Sequence, residues 1–483
     1  MTLILIENAG FSPAFIYEAE GFVLERFICF KDFDFLFIAP PIDPIHGHNI
    51  FYSDTMTTDT DSHTPVSPGR PRPGFLDRVY RPDARVGRFL SVLVLVGVSY
   101  GFYRGIQDNY LAEIMHVDPF ERGVVEFFRE IPGLLLILVL ALMYKFADSR
   151  IFKIGVALMA GGVAGLLLTS GSAFFMTKVF VVIFMVFYSI GEHVIMPVRA
   201  TIAMDLAKPE KSGASLGITG SISQLGNIAG FILVAVIFSL LGKRGFDRTD
   251  IIGYRIVFGA ATALMVTAAL VAAALRETTL KSQRRRFYFA KKFTKFYMLE
   301  VFYGARKQIF LTFAPYVLIV QYGADASIIS QLYAICAVFG MLFSPLIGKI
   351  IDKVGYKAVM VADTLILIAV CLFYGFAHRL FVMNIAYIVV CCNFVLDSII
   401  SIASMASNVY VKRIASNQEE VTATLSTGIS VNHVISILIA LMGGWIWKVT
   451  SIEVLFSLSA VFGLINSIYA ATIKTADEER KNS

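Results

Sequence analysis

The sequence predicts an all-α membrane protein in which 12 transmembrane helices form two pseudo-symmetric six-helix bundles. Of the 483 residues, 57% are hydrophobic and only 16% are charged, whereas soluble domains contain about 25% charged residues. Continuous apolar segments recur at regular intervals, and residues of the first half recur in the second. This composition excludes a soluble enzyme and a disordered protein. It also argues against an outer-membrane barrel, whose strands alternate polar and apolar residues.

The apolar segments fall into two sets of six. Each segment is long enough to cross a bilayer as a helix of about 20 residues. The first set covers about 88–115, 121–144, 152–170, 174–198, 212–241 and 254–275. The second set covers about 296–321, 327–349, 358–377, 380–405, 421–447 and 452–473. The sequence therefore predicts an N-terminal bundle at 86–275, a basic linker at 276–295, a C-terminal bundle at 296–474 and a tail at 475–483.

Basic residues are distributed unequally between the two predicted sides of the membrane. About 28 Lys and Arg residues lie on the side that carries both termini and the linker. The seven on the other side are Arg122, Lys243, Arg244, Arg248, Arg255, Arg379 and Lys448. Because cytoplasmic loops are enriched in Lys and Arg, we expect a multi-pass protein of the cell membrane with both termini in the cytoplasm.

Residues 1–85 differ in composition from the rest of the chain. Nine of the 15 prolines precede Val86, and the stretch Met56–Pro73 has too few apolar residues to form a core. We expect this N-terminal extension to be largely disordered. Residues 1–55 lack the pattern of a signal peptide, and two interpretations stay open. Either the true start is Met56, or the segment is a small regulatory domain.

Repeated residues indicate that the two bundles are related. Tyr100-Gly101 recurs as Tyr303-Gly304. The loop after the eighth segment reads Gly348-Lys-Ile-Ile-Asp352-Lys-Val-Gly355-Tyr-Lys357. The equivalent loop of the first half keeps Asp148 and Lys153 but neither glycine. The offsets between matching residues are nearly constant, which indicates a duplicated six-helix unit like those of transporters built from parallel repeats.

The complete second loop resembles the signature loop of the major facilitator superfamily, G-x-x-x-D-x-x-G-x-[RK]. The resemblance covers about residues 86–474 and implies that superfamily's fold, with helices 1, 4, 7 and 10 around a central cavity. It does not identify a solute, since the superfamily carries sugars, drugs, peptides and anions. The implied gating residues are Asp148, Gly348, Asp352, Gly355 and Lys357.

The resemblance also implies where the two gating loops make contact. Asp352 is expected to meet the start of the fifth helix near Lys211–Gly213, and Asp148 the start of the eleventh helix near Val421. Within the fifth helix, the glycine spacing predicts close helix contact at two pairs, Gly213/Gly217 and Gly226/Gly230.

Several ionisable residues are predicted at membrane depth, where a charge without a partner costs several kcal/mol. Asp108 lies one helical turn from Arg104, so the two are expected to pair. Arg104 and Arg306 lie on pseudo-symmetric helices, which resembles the paired arginines of organophosphate–phosphate antiporters.

Candidate substrate-binding residues are Arg104, Gln107, Asp108, Glu192, Arg306 and Lys307. Candidate proton-coupling residues are Asp108, Glu130, Glu192 and Asp397. Residues interpreted as structural ion-pair partners are Glu126, Lys178, Asp363 and His433.

The predicted function is secondary active transport of a small solute by alternating access. The chain has no G-x-x-x-x-G-K-[ST] phosphate loop, so we expect coupling to protons or Na⁺ rather than to ATP. Arginines favour an organic anion, whereas Tyr103, Gln107 and Asn109 leave a sugar or another polar solute open. A transport-inactive sensor or scaffold on the same fold is the alternative from another class.

An enzyme is not predicted, because the sequence contains no recognisable nucleophile–base pair. The five cysteines show neither a disulfide framework nor metal-ligand spacing. We therefore expect no catalytic residue, no cofactor and no bound metal. The expected partners are the lipid bilayer and the solute, without nucleic acid, and the expected state is a monomer.

The asymmetry of basic residues predicts the orientation of the chain. Reporter proteins fused after Arg286 and after Ser483 should both report a cytoplasmic location, whereas a reporter in the loop after Lys243 should report the outside. A periplasmic or extracellular signal from either of the first two fusions would contradict the predicted topology.

Overall fold

The computed structural model describes residues 74–143, 145–169, 175–276 and 288–473. The predictions for residues 1–55, for Met56–Pro73 and for the tail at 475–483 lie outside the described residues, as does most of the basic linker. Twelve long helices follow one another in the described parts of the chain, after a short helix at Phe75–Val79.

The first six long helices form the N-terminal bundle. They are α1 (Ala84–Ile114), α2 (Pro119–Leu142), α3 (Asp148–Thr169), α4 (Phe175–Leu206), α5 (Ser212–Lys243) and α6 (Ile251–Ala273). The last turn of α1, Tyr110–Ile114, is a π-helix. Polar N-cap residues begin several helices: Asp83 accepts a hydrogen bond from the backbone N–H of Arg85, and Asp250 accepts one from that of Ile252, as helix termini require.

The second six long helices form the C-terminal bundle. They are α7 (Thr294–Tyr322), α8 (Ala326–Val354), α9 (Tyr356–Leu380), α10 (Met383–Ile414), α11 (Gln418–Val449) and α12 (Ile452–Ala471). A short 3₁₀ segment, Ile402–Ser404, interrupts α10. Gly323 ends α7 in the left-handed conformation, with φ at 70°, which glycine adopts without strain.

Ten of these helices are long and apolar enough to cross a membrane by length and composition. The other two long helices, α2 and α7, carry several of the charged residues that the sequence placed at membrane depth, among them Glu126, Glu130 and Arg306. The prediction of an all-α membrane protein is therefore confirmed. Helices α4 and α10 extend further than predicted, to Leu206 and Ile414.

Glycines bring α1 and α5 into close contact. A Cβ on Gly97 would lie 3.1 Å from the Cα of Gly226, and a Cβ on Gly101 would lie 2.7 Å from the Cα of Gly230. Small residues at such positions let helix backbones approach, which replaces the hydrophobic driving force that lipid cannot supply. The predicted packing role of Gly226 and Gly230 is confirmed.

The two bundles contact each other through α2 with α11 and through α5 with α8. We call the end of the helices at Ala84 and Thr294 the linker end, and the opposite end the far end. At the far end, a Cβ on Gly123 would lie 3.2 Å from the Cα of Gly444. The hydroxyl of Ser327 donates to the backbone oxygen of Ala235 at 3.0 Å.

Further contacts between the bundles close the far end. Asn109 donates to the backbone oxygen of Ala324 at 2.9 Å, and Ser330 donates to that of Gly105 at 3.0 Å. The ammonium of Lys448 lies 2.7 Å from Asp118. Burial opposes ionisation of Asp118, but hydrogen bonds from Lys448 and from the backbone N–H of Glu121 hold its pKa below the usual value. The far end is thus held by hydrogen bonds to backbone oxygens as well as by packing.

Toward the linker end, glycines of α5 and of α8 face open space. Among the described residues, no heavy atom lies within 4 Å of the position that a Cβ would take on Gly213 and Gly217 of α5, or on Gly340 and Gly348 of α8. The predicted packing role of Gly213 and Gly217 is therefore wrong in this conformation. The reason is that no helix within the described ranges packs against this glycine face of α5.

Candidate functional site

A chain of ion pairs runs along α1 and α2 in the interior of the protein. Asp108 lies 3.6 Å from Arg104 and 2.9 Å from Arg122. The guanidinium of Arg122 also lies 2.9 Å from Glu126, and Arg129 lies within 2.6 Å of both Glu126 and Glu130. We call this set the buried charge chain; its members are Arg104, Asp108, Arg122, Glu126, Arg129 and Glu130. It contains three guanidinium groups and three carboxylates, so it is neutral as a whole.

Residues of the C-terminal bundle complete the hydrogen bonding of the buried charge chain. The hydroxyl of Tyr333 donates to Asp108 at 3.1 Å, and the amide of Gln308 donates to Glu126 at 3.2 Å. The guanidinium carbon of Arg104 lies 5.3 Å from the centre of the Tyr333 ring, a cation–π contact. The chain therefore spans the interface between the two bundles.

Arg122 is the member that the sequence did not identify. The sequence placed Arg122 near a loop on the non-cytoplasmic side and counted it only toward the orientation of the chain. In the structure its side chain is completely buried. The predicted pair of Arg104 with Asp108 is confirmed, as is the structural role of Glu126. The i, i+4 spacing of Arg122 and Glu126 is a signal in the sequence that could have revealed the pair.

Arg306 of α7 is buried differently from Arg104. One of its nitrogens donates to Asp397 of α10 at 2.9 Å, and its guanidinium carbon lies 5.1 Å from the centre of the Tyr303 ring. Its Nε and its other terminal nitrogen have no hydrogen-bond partner among the described residues, although the side chain is only 1% exposed. Buried donors of this kind are costly unless a ligand or water accepts their hydrogen bonds.

A small cleft in the C-terminal bundle is lined by Tyr303, whose ring contacts the Arg306 guanidinium. In this conformation it has room for about one water molecule, and it is also lined by Glu300, Asp363, Ser404, Ser407 and Asn466 together with apolar side chains. Glu300 accepts hydrogen bonds from Ser407 and Asn432. Asp363 forms no ion pair within the described part of the chain, so its predicted structural pairing is wrong. Its carboxylate faces the cleft instead.

Glu192 of α4 differs from the other candidate carboxylates, because it takes part in no ion pair among the described residues. Its charge acts on Tyr103 and Tyr188, whose rings lie 4.3 Å apart. The hydroxyls of both tyrosines and the amide nitrogen of Gln107 are buried without a hydrogen-bond partner in the described residues. This part of α1 and α4 therefore also presents unused polar groups.

Two histidines and a glutamate from three helices lie together near the centre of the α2–α11 interface. Nδ1 of His433 lies 2.9 Å from a carboxylate oxygen of Glu130, and the rings of His433 and His193 have centroids 5.2 Å apart. The predicted ion pairing of His433 is consistent with this contact. One nitrogen or oxygen atom of each residue lies within 4.8 Å of those of the other two. These are donor atoms of the kind that hold a transition metal.

The predicted gating residues lie at the linker end. Asp148 begins α3 and is buried, whereas Asp352 is exposed near the end of α8. Gly355 follows α8 with φ at 93°, a conformation that favours glycine. Among the described residues, the start of α5 at Gly213 has open space where a Cβ would lie. The expected contact between Asp352 and the start of α5 stays a prediction for another conformation.

The sequence matches the family model of the Major Facilitator Superfamily at residues 89–303 and 296–483. The chain therefore belongs to this superfamily of transporters. No curated protein matches it significantly.

Several solved structures share the fold at low sequence identity. A nucleoside transporter, NupG, is 13% identical with a TM-score of 0.62, over 81% of this chain and 100% of that chain. A D-xylose–proton symporter is 14% identical with a TM-score of 0.63, over 81% and 98%. A POT family transporter in complex with 5-aminolevulinic acid is 12% identical with a TM-score of 0.61, over 82% and 96%. The prediction of the fold is confirmed.

The position of Arg122 predicts a large effect on stability. Arg122→Gln should destabilise the protein by about 3–5 kcal/mol, because it leaves Asp108 and Glu126 buried with too little positive charge. Thermal unfolding of the purified protein in detergent would measure the loss.

Lys448→Gln provides the matched control for Arg122→Gln. Lys448 also pairs with a carboxylate, but its side chain is 53% exposed, so its replacement should change stability little. Equal losses in the two variants would contradict the assignment of Arg122 as the centre of the buried charge chain.

Proposed function

We propose that the protein is a secondary transporter that moves a small polar solute by alternating access, and that Arg306 binds an acceptor group of that solute. The observation that carries this proposal is the pair of unused N–H groups on a completely buried guanidinium. The nearby cleft holds about one water molecule in this conformation, and it is lined by hydroxyl, amide and carboxylate groups. Such a set of polar groups in a concave site is typical of solute binding.

An organic anion is the first candidate for the solute. The two nitrogens of Arg306 that lack a partner among the described residues suit the two oxygens of a carboxylate. A guanidinium also stays protonated at any physiological pH, so it keeps its positive charge. Arg104 is a weaker candidate for this role than Arg306, because Asp108 and the Tyr333 ring already occupy its guanidinium. Lys307, next to Arg306, adds positive charge on α7.

A neutral polar solute such as a sugar is the second candidate, and the carboxylates near Arg306 are the argument for it. Asp397 pairs with Arg306, and Glu300 and Asp363 line the cleft. The carboxylates around Arg306 therefore equal or exceed the positive charges. The similar structures include transporters for nucleosides and for D-xylose, but at this identity they are evidence for the fold alone.

Among the four candidate proton-coupling carboxylates, we favour Glu192. Asp108, Glu130 and Asp397 are each within 2.9 Å of an arginine, so protonation of any of them would break an ion pair. Glu192 forms no ion pair among the described residues, and its charge acts on Tyr103 and Tyr188, whose hydroxyls have no hydrogen-bond partner there. If the solute bound to only one protonation state of Glu192, a proton would have to bind or leave in each transport cycle, and transport would be coupled to the proton gradient.

The conformation described above fits one end state of an alternating-access cycle. With the linker end on the cytoplasmic side, as the basic residues indicate, the closed far end corresponds to an inward-facing state. The opposite state requires the linker ends of α5 and α8 to approach each other. Asp352 at the end of α8 would then stabilise the start of α5 through the helix dipole.

Uptake by purified protein in proteoliposomes tests the proposed transport. Candidate carboxylates and sugars would be offered with and without a pH gradient, and the solute that accumulates would be used for the variants. Arg306→Gln should abolish uptake of that solute, because it removes the charge and most of the donors.

Arg244→Gln is the control for Arg306→Gln, since Arg244 is an exposed arginine just past the end of α5. It should transport as the parent protein does. Full uptake by Arg306→Gln would rule out Arg306 as a binding residue. No uptake of any solute by the parent would favour the sensor or scaffold.

Asp352→Asn tests the proposed gate in the same assay. This change should leave the amount of folded protein and the solute affinity nearly unchanged while slowing turnover, because it removes a charge that stabilises one of the two states. Lys353→Gln changes the exposed neighbouring residue and should have little effect. Unchanged turnover in Asp352→Asn would refute the gating role.

A further inference from the structure

We propose that Glu130, His193 and His433 form a binding site for a divalent transition-metal ion of the Zn²⁺ type, which links the two bundles. The three side chains belong to α2, α4 and α11, and one donor atom of each lies within 4.8 Å of the others. Two imidazole nitrogens and one carboxylate oxygen are a ligand set that Zn²⁺ and similar ions accept, with room for a fourth ligand.

The orientation of His193 suits a metal ligand. Its Nδ1 lies 2.8 Å from the backbone oxygen of Ser189, and because a carbonyl oxygen can only accept, that nitrogen carries the proton. Nε2 therefore holds the free lone pair, and it is the atom of the ring closest to Gly133. A hydrogen bond from the second ring nitrogen to a backbone carbonyl is the usual way in which proteins orient a metal-binding histidine.

Glu130 and His433 are also held in position. Arg129 binds one carboxylate oxygen of Glu130 at 2.6 Å, while the other oxygen contacts Nδ1 of His433 at 2.9 Å. The second oxygen is the one available to a metal ion. A metal ion can bind Nδ1 of His433 only when that nitrogen carries no proton, so the ion would replace the hydrogen bond between Glu130 and His433.

Gly133 supplies the space that the two imidazoles need. A Cβ at this position would lie 2.6 Å from Cε1 and 2.7 Å from Nδ1 of His433, and 2.7 Å from Nε2 of His193. The absence of a side chain thus lets rings from α4 and α11 approach the same point beside α2. This cradle is a second observation, independent of the ligand set, for a site at this point.

The local charge favours a cation. Glu192 precedes His193 and acts on it electrostatically, and Glu126 and Glu130 lie on the facing turn of α2. Arg129 contacts both Glu126 and Glu130, and Arg122 contacts Glu126, so the buried charge chain is neutral and Glu192 adds one carboxylate to it. Because His433 belongs to the C-terminal bundle and the other two ligands to the N-terminal bundle, a bound ion would stabilise the conformation in which the bundles meet here.

Titration of Zn²⁺ and Co²⁺ into the purified, tag-free protein tests the site. We expect one equivalent to bind by calorimetry, and Co²⁺ to show the visible absorption of a four- or five-coordinate ion. His193→Ala and His433→Ala should each weaken binding by at least about tenfold, as loss of a ligand requires. No binding to the parent protein, or unchanged binding in both variants, would overturn the proposal.

Two further variants separate loss of ligation from loss of folding. Gly133→Ala removes no ligand but displaces both rings, which can rotate at little cost, so the protein should fold and lose metal affinity. His378→Gln is the matched control, because His378 also contacts a glutamate, Glu453, at 3.2 Å but lies outside the cluster. Its metal affinity should equal that of the parent, and a loss in this variant would contradict the assignment.

The link between the bundles has a separate readout that does not depend on any solute. In a variant without native cysteines, spin labels at Gly213 and Lys349 report the separation of α5 and α8 at the linker end. Zn²⁺ should shift the distances toward the long separation, since the ion stabilises the conformation described here. An unchanged distribution at saturating Zn²⁺, or accumulation of Zn²⁺ inside proteoliposomes, would show that the ion does not act as a link. Failure of this test would leave the proposed transport through Arg306 unaffected.

Discussion

The requirement that charges inside a bilayer have partners underlies most of this structure. Arg104, Arg122 and Arg129 alternate with Asp108, Glu126 and Glu130 along α1 and α2, and side chains of α7 and α8 complete their hydrogen bonds. Removing one partner of a buried pair costs far more than the pair contributes. The chain of charges therefore constrains how α1 and α2 can sit against the C-terminal bundle, and it makes the far end of the interface polar as well as closely packed.

The same interface contains both rigid and changeable contacts. Gly123 and Gly444 bring α2 and α11 within backbone contact, and Ser327 and Ser330 bind backbone oxygens of the opposite bundle. Toward the linker end, α5 and α8 have open space at their glycines. In a two-state rocking motion, contacts at the far end break while contacts at the linker end form. The two states must differ little in free energy, so the contacts exchanged at each end must be of similar strength.

The two bundles differ in how they use pseudo-symmetric arginines. In the N-terminal bundle the guanidinium of Arg104 is taken by Asp108, Tyr333 and the backbone oxygen of Leu311. In the C-terminal bundle Arg306 has one carboxylate partner, and two of its nitrogens have no hydrogen-bond partner in the described part of the chain. Similar residues at matching positions of the two bundles therefore have different neighbours, which occupy the guanidinium of Arg104 and leave two nitrogens of Arg306 without a partner among the described residues. The symmetry argument alone treats them as equivalent.

The sequence by itself determined the helical membrane fold, the division into two bundles and the family. Continuous apolar runs and the loop from Gly348 to Lys357 are local patterns, and they depend on no distant contact. It also predicted the pair of Arg104 with Asp108 and the packing of Gly226 and Gly230, because both follow from spacing within one helix.

Only the tertiary structure placed Arg122 at the centre of the charge chain, left Gly213 without a partner and exposed Asp363 to the cleft. It alone brought His433 beside Glu130 and His193, since these residues lie on three helices far apart in the chain. Contacts between helices depend on their relative rotation and crossing, and neither periodicity nor hydropathy encodes those quantities for a given pair.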